Sequence, residues 1–205
     1  MTTHVVLATR NAHKVQELGQ ILADLRLAID VVALPDSAPD VVEDELSFAG
    51  NALKKARAAA ATTGLPAIAD DSGLCVDALN GMPGIFSARW AGSARDDAAN
   101  LALVLDQLTD VPDEHRGGHF ACAAALALPD GTERVVEGRM IGTVIRAPRG
   151  SGGFGYDPVF VADGYDVTTA ELRAEEKNAI SHRGNAFRAL APILREMLIA
   201  SHDII

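Results

Sequence analysis

Pro66-Ala-Ile-Ala-Asp-Asp-Ser-Gly-Leu-Cys-Val76 is a short apolar run leading into two adjacent carboxylates, a hydroxyl and a glycine. A run this short and apolar reads as a buried strand, and the pattern predicts that the chain turns at Asp70, Asp71, Ser72 and Gly73. Acids at the end of a core strand stand at the rim of the sheet, where open α/β folds take their ligands. Two chemistries compete for such a position. One is a metal site or general base; the other is an Asx-type turn whose carboxylates only cap backbone amides. The stretch alone leaves both open.

The surrounding composition narrows the class. With 205 residues and 48% hydrophobic content, the chain can bury a substantial core as one domain, or at most two lobes. Eighteen Lys and Arg against 28 Asp and Glu give a net charge of −10. That balance argues against nucleic-acid wrapping and against coating an anionic membrane, so any bound phosphate must meet a local cluster of cations. Cys75 and Cys122 each sit in an apolar run and read as small buried hydrophobes, with neither a disulfide framework nor zinc-ligand spacing. The first residues lack the basic and apolar regions of a signal peptide, and no later run is long enough to cross a bilayer. The expectation is a cytoplasmic protein.

Upstream, Val5 to Ala8 reads as a strand, and the polar stretch Thr9-Arg-Asn-Ala-His-Lys14 leads into a helix with Val15, Leu18, Leu22 and Leu25 inward. A strand, polar turn and helix start together present amides and the positive helix end to an anion. There is no Walker A pattern. Ile29 to Leu34 is a second strand, followed by a Pro/Asp-rich loop and the acids Glu43-Asp44-Glu45. A hard cation takes oxygen ligands, and one of these could join Asp70 and Asp71. Ser47 is a cap for a helix from Phe48 to about Thr63 that carries Asn51, Lys54, Lys55 and Arg57 and ends at Gly64.

Downstream, Asp96 or Asp97 starts a helix with Leu101, Val104, Leu105 and Leu108 inward. Phe120 to Leu128 and Glu133 to Val144, joined at Pro129-Asp-Gly131, form a hairpin, so the sheet is mixed. Arg146 to Pro158 holds four glycines around Phe154 and Tyr156. Such a loop allows close backbone approach and can offer a stacking surface to a base. Thr168-Thr-Ala-Glu171 has the form of a capping box. Lys177, His182 and Arg183 then bring three candidate phosphate or base ligands to the start of a final helix that Pro192 should bend. An anion-binding turn, acids for a divalent cation, an aromatic glycine loop and a cationic helix entry are the parts a nucleoside triphosphate with Mg²⁺ requires.

Six motifs in order carry a resemblance: Thr9, Asn11 and Lys14; Phe48 with Asn51-Ala52 and Lys55-Ala56; Ala69-Asp-Asp-Ser-Gly73; Pro83-Gly84 with Ser87-Ala88-Arg89; Gly152-Gly-Phe-Gly-Tyr-Asp-Pro158; and Glu176-Lys177 with Ser181-His-Arg-Gly184. The sequence resembles the inosine triphosphate pyrophosphatase family. The resemblance implies an α/β fold with a mixed central sheet flanked by helices, in which residues 1–205 form a single two-lobed domain with the nucleotide in the cleft, usually as a homodimer. It implies Mg²⁺-dependent cleavage of inosine, deoxyinosine and xanthosine triphosphates into monophosphate and pyrophosphate.

Carried over residue by residue, Asp71 binds Mg²⁺ and accepts the proton of the attacking water, with Glu43 as second metal ligand. Thr9, Arg10, Asn11, Ala12, His13 and Lys14 hold the triphosphate, Lys55 sits near it and Ser72 contacts substrate. Phe154 stacks on the base, Gly155 and Tyr156 belong to the same binding loop, and Asp157, Lys177, His182 and Arg183 read the base and hold the nucleotide. Side-chain donors such as His182 and Arg183 favour a 6-oxo group over adenine's amino group. Arg10 and His13 depart from the pattern, standing where many relatives have glycine. A regulatory nucleotide sensor is the competing reading, but a sensor has no need of the three acids.

Overall fold

Asp70 to Gly73 do not turn the chain. In the computed structural model they lie in the middle of a ten-residue strand, Ala67–Val76, buried along nearly its whole length. The structure describes residues 3–27 and 29–199. The side chains of Ala12, His13 and Ile199 lie outside the described residues, as do residues 1 and 2 and the Ile204-Ile205 tail.

In chain order the elements are β1 (Thr3–Leu7), α1 (Ala12–Asp24), β2 (Ile29–Ala33), α2 (Phe48–Thr63), β3 (Ala67–Val76), β4 (Met82–Pro83), α3 (Asp97–Gln107), β5 (Gly117–Ala127), β6 (Glu133–Val144), β7 (Phe160–Ala162), α4 (Ala174–Ile180) and α5 (His182–Leu194). Among the described residues seven strands form one sheet in the order β2-β1-β3-β5-β6-β7, with β4 paired to β3. β1 is parallel to β2 and β3, whereas β3–β4 and β6–β7 are antiparallel, so the sheet is mixed as expected. No described helix is long and apolar enough to cross a membrane.

The chain divides into two units by contact, Met1–Asp71 with Cys122–Gly138 and Arg183–Ile205, and Ser72–Ala121 with Arg139–His182. In the first, the period-two alternation of strand side chains sorts the core into two layers. Val5, Leu7, Ile68, Cys122, Ala124 and Leu126 face Leu18, Ile21 and Leu22 of α1 and Phe187, Leu190 and Leu194 of α5. Val6, Ala8, Ala67, Ala69, Ala123, Ala125 and Ala127 face Ala52, Ala56, Ala59 and Ala60 of α2. Alanine on both sides lets α2 lie close to the sheet. On α1, Ile21 rather than Val15 completes the apolar stripe, and Val15 is exposed. The second unit packs Leu74 and Val76 with Val104, Leu108, Phe120, Met140, Val144, Tyr156, Val159 and Phe160.

The ends of the helices follow local chemistry. The Gly50 amide donates to Ser47 Oγ at 3.0 Å and Gly64 closes α2 at φ 68°, while the Ala99 amide donates to Asp96 at 3.0 Å to start α3. The Thr168–Glu171 pair does close on itself, with the Thr168 amide donating to Glu171 Oε2 at 2.7 Å, but no helix follows directly. The helix begins at Ala174, where Glu176 Oε2 accepts from the Arg173 amide at 3.2 Å. Extended backbone at Ser181 separates α4 from α5. α5 runs two residues past Pro192 and widens into a π-turn at Arg195–Ile199.

Gly73 keeps β3 straight instead of turning it. A Cβ there would fall 2.3 Å from the Gly84 carbonyl oxygen and 2.4 Å from Ser87 Oγ. The glycine therefore serves close backbone approach rather than a bend. Gly73→Ala should lower stability by about 1–3 kcal/mol, through overpacking against backbone that has little room to move; urea unfolding measures it.

Candidate active site

The register of β1 on β3, Leu7 beside Ile68, and the Ala8 amide donating to the Ile68 carbonyl at 2.8 Å bring the Thr9–Lys14 turn out next to Asp70. Inside the turn the Asn11 amide donates to Thr9 Oγ1 at 3.2 Å and the Lys14 amide to Asn11 Oδ1 at 3.3 Å. Thr9 and Asn11 thus order the first turn of α1. Arg10 reaches away to the Asp40 carboxylate and the Asp36 and Ala38 carbonyls.

Adjacent strand residues point to opposite faces, so Asp70 and Asp71 enter different surroundings. Asp70 faces α1 and α5. Its Oδ2 accepts from Lys14 Nζ at 3.0 Å and from Arg183 Nε at 3.1 Å, and the Arg183 guanidinium also pairs with Glu17. Both the Asp70 and Arg183 side chains are buried. Burial alone would raise the Asp70 pKa, but Lys14, Arg183 and Lys55 outweigh it and hold the carboxyl well below the ordinary range. Burial likewise works against the Arg183 charge, and Asp70 and Glu17 overcome it and push its pKa up. Asp70 Oδ1 is buried with no hydrogen-bond partner.

Asp71 faces α2. Its Oδ2 accepts from Asn51 Nδ2 at 3.2 Å and its Oδ1 from Lys55 Nζ at 3.2 Å, and the same Nζ donates to Glu43 Oε1 at 2.7 Å. Asn51 and Lys55 lie one helical turn apart on α2, so one helix face supplies both donors. Asn51 Oδ1 also accepts from the Glu45 amide at 3.1 Å, which ties the acidic loop to the helix. Asp44 turns outward to Lys54. Burial pushes the Asp71 carboxyl up, against the lowering pull of Lys55 and Lys14. Burial also lowers the Lys55 ammonium, but Asp71, Asp70 and Glu43 together outweigh it, so its pKa rises.

These residues suit a Mg²⁺ ion. No three described His, Cys, Asp or Glu side chains form a closed metal cage, and Mg²⁺ rarely uses one: it keeps waters and takes one or two carboxylates with the substrate's phosphates. Asp71 and Glu43 are two such carboxylates, and a positive group, the Lys55 ammonium, already bridges them.

In the second unit the glycine loop is held by a buried acid. Asp157 Oδ2 accepts from the Phe154 amide at 2.8 Å and from Lys177 Nζ at 2.6 Å, and its Oδ1 accepts from Thr169 Oγ1 at 2.8 Å. Gly153, at φ 69°, lets the loop close over that carboxylate. The Gly155 amide donates to Asp97 at 3.1 Å. Phe154 remains partly exposed with Lys177 Nζ 5.2 Å from its ring centre, whereas the Tyr156 ring is core and its hydroxyl donates to the Ser87 carbonyl at 2.8 Å. Only Phe154 therefore offers a face for stacking. His182 stacks on Phe120, with centroids 4.9 Å apart, and Ser72 is half-buried.

Sequence reading overlooked Glu17 and Thr169, and it quoted Asn51 without assigning it a role. Glu17 and Asn51 had a usable signal: Glu17 is three residues from Lys14 and Asn51 four from Lys55, so each shares a helix face with a candidate site lysine.

The Ham1 family matches residues 5–193. A protein of Streptomyces coelicolor named dITP/XTP pyrophosphatase is 65% identical over 199 residues, 96% of this chain and 99% of that protein. Among solved structures, a HAM1 protein from Coxiella burnetii is 43% identical with a TM-score of 0.86, over 95% of this chain and 99% of that one. A nucleoside-triphosphatase, dITP/XTP pyrophosphatase, from Mycobacterium abscessus is 51% identical with a TM-score of 0.75, over 93% and 100%. With its motifs in order, its sheet and a match over nearly the whole described chain, this protein belongs to the Ham1 family, the inosine triphosphate pyrophosphatase family that its motifs resemble.

Proposed function

We propose that this protein is a Mg²⁺-dependent nucleoside triphosphate pyrophosphohydrolase that removes inosine, deoxyinosine and xanthosine triphosphates, keeping these bases out of DNA and RNA. The observation that carries the reading is the buried group on one face of β3, in which Lys55 bridges Asp71 and Glu43 while Asn51 orients Asp71.

Asp71 and Glu43 would hold the Mg²⁺, whose chemistry when bound is to neutralise phosphate charge and polarise the phosphoryl group. The oxygen of a water attacks the α-phosphorus, its proton passes to the Asp71 carboxylate, and the bond from the α-phosphorus to the bridging oxygen breaks. Pyrophosphate leaves with that oxygen. Burial raises the Asp71 carboxyl above its ordinary range, the direction that makes a carboxylate a better proton acceptor.

Thr9 to Lys14 and Lys55 are assigned to the phosphates, and Ser72 to contact with the substrate. Phe154, with Gly155 and Tyr156 in its loop, is assigned to the base, and Asp157 and Lys177 fix that loop. His182 and Arg183 are the proposed donors to a 6-oxo group, with Asp70 and Glu17 fixing the guanidinium. Residues 1–205 are proposed to act as a single nucleotide domain. The protein is proposed to be a cytoplasmic homodimer with no nucleic-acid or membrane partner.

Product analysis tests this reading. Inosine triphosphate with Mg²⁺ should give inosine monophosphate and pyrophosphate; diphosphate and orthophosphate would overturn it.

A further inference from the structure

The Lys55 ammonium occupies the ground between the two carboxylates assigned to the metal, 2.7 Å from Glu43 Oε1 and 3.2 Å from Asp71 Oδ1. We propose that Lys55 is a built-in counter-ion that excludes Mg²⁺ from Asp71 and Glu43 when no nucleotide is bound, so that the metal enters only together with a polyphosphate that draws Lys55 away. The inference rests on the functional reading above and assigns a binding order to that site.

Two cations cannot share this position. The Lys55 side chain is 14% exposed, Glu43 21% and Asp71 11%, so water does little to screen a second charge placed beside the ammonium. The remaining contact to Asp71 comes from Asn51, which is neutral. Removing the ammonium would therefore leave two largely buried carboxylates without the charge that bridges them, while Lys14, whose charge also reaches Asp71, stays paired with Asp70, and the ground between Asp71 and Glu43 is then open to a cation. A lysine has the means to leave. Its ammonium is a point charge on a flexible four-carbon stem, and a triphosphate offers it a stronger anionic partner than a single carboxylate. Once Lys55 swings to phosphate, the same carboxylates become available to the ion that arrives with it. An enzyme built this way does not hold idle Mg²⁺, and Asp71 keeps a neutralising partner in the absence of substrate.

Calorimetry with MgCl₂ alone, without nucleotide, tests the proposal. Lys55→Met should bind Mg²⁺ about tenfold or more tightly than the wild type, as expected for removing a unit charge a few ångströms away. Lys55→Arg, which keeps the charge, should bind it as weakly as the wild type. Equal or weaker Mg²⁺ binding by Lys55→Met overturns the proposal. Should that variant not fold, Lys55→Gln carries the same test, because its amide is neutral yet still donates hydrogen bonds. The functional reading fails separately: a wild type that releases no pyrophosphate from inosine triphosphate overturns that reading and leaves the calorimetric comparison standing.

Discussion

We expect Asp71→Asn to lower turnover of inosine triphosphate by about a thousandfold, roughly 4 kcal/mol of barrier, the range lost when a positioned general base is removed. The amide cannot take the water's proton, and it gives up a charge that the metal would use. Nucleotide binding should persist, because the other residues proposed to hold the nucleotide are unchanged. Stability changes little, and the reason lies in the direction of the pKa shift. Burial raises the folded Asp71 pKa above its ordinary 3.8. A raised carboxyl contributes stability below the unfolded value and loses it as pH rises through the folded one, which offsets what the Lys55 ammonium gains from Asp71, and Lys55 keeps Glu43 as a partner in the variant. Steady-state kinetics with a parallel thermal melt check both halves. Turnover within about tenfold of wild type would move the base to another residue.

Asp70→Asn does the opposite, although it alters the neighbouring residue by the same chemistry. It costs about 3–5 kcal/mol of stability, because it strips a buried guanidinium of its main partner. Arg183 is then left with Glu17 as its anionic partner, and Lys14 loses its ionic partner on β3. The effect depends on pH with a definite sign. Lys14, Arg183 and Lys55 outweigh burial and depress the folded Asp70 pKa, so its stabilisation is fully present above the unfolded value of 3.8 and is lost as pH falls through the folded one. Urea unfolding should therefore show the widest gap between wild type and variant near neutral pH, narrowing below pH 3.8. A gap that stays constant or widens in acid would remove Asp70 from the ion-pair role.

A good deal of this molecule is legible from its residues. Ser47 and Gly64 announce the ends of α2, Asp96 caps α3, and Pro129-Asp-Gly131 closes the β5–β6 hairpin, all because caps and turns depend on chemistry within a few residues. Both cysteines are buried as their apolar surroundings imply. At Gly73 and Tyr156 sequence reading failed because the deciding contact was distant in the chain. Gly73 looks like a turn residue until Gly84 and Ser87 are seen packed against its Cα. Tyr156 looks like a stacking surface until its hydroxyl finds the Ser87 carbonyl. The Thr168–Glu171 box has the right spacing, but the helix it should start is capped by Glu176 instead.

The pair Asp70-Asp71 divides these two sources of information. The sequence by itself determined that two acids stand together after an apolar strand, and that a polar strand–turn–helix, an aromatic glycine loop and a cationic helix entry give them company that suits nucleotide chemistry. Period-two alternation would have separated their faces as well, had the strand been known to continue. Only the tertiary structure decided that it does continue, because a glycine fits against a neighbouring carbonyl where any side chain would collide. It also decided what each face meets: Lys14 and Arg183 for Asp70, from residues 56 and 113 positions away, and Asn51 and Lys55 for Asp71. A carboxylate's charge and proton affinity depend on which cations and how much water lie within a few ångströms, and chain-distant partners supply both.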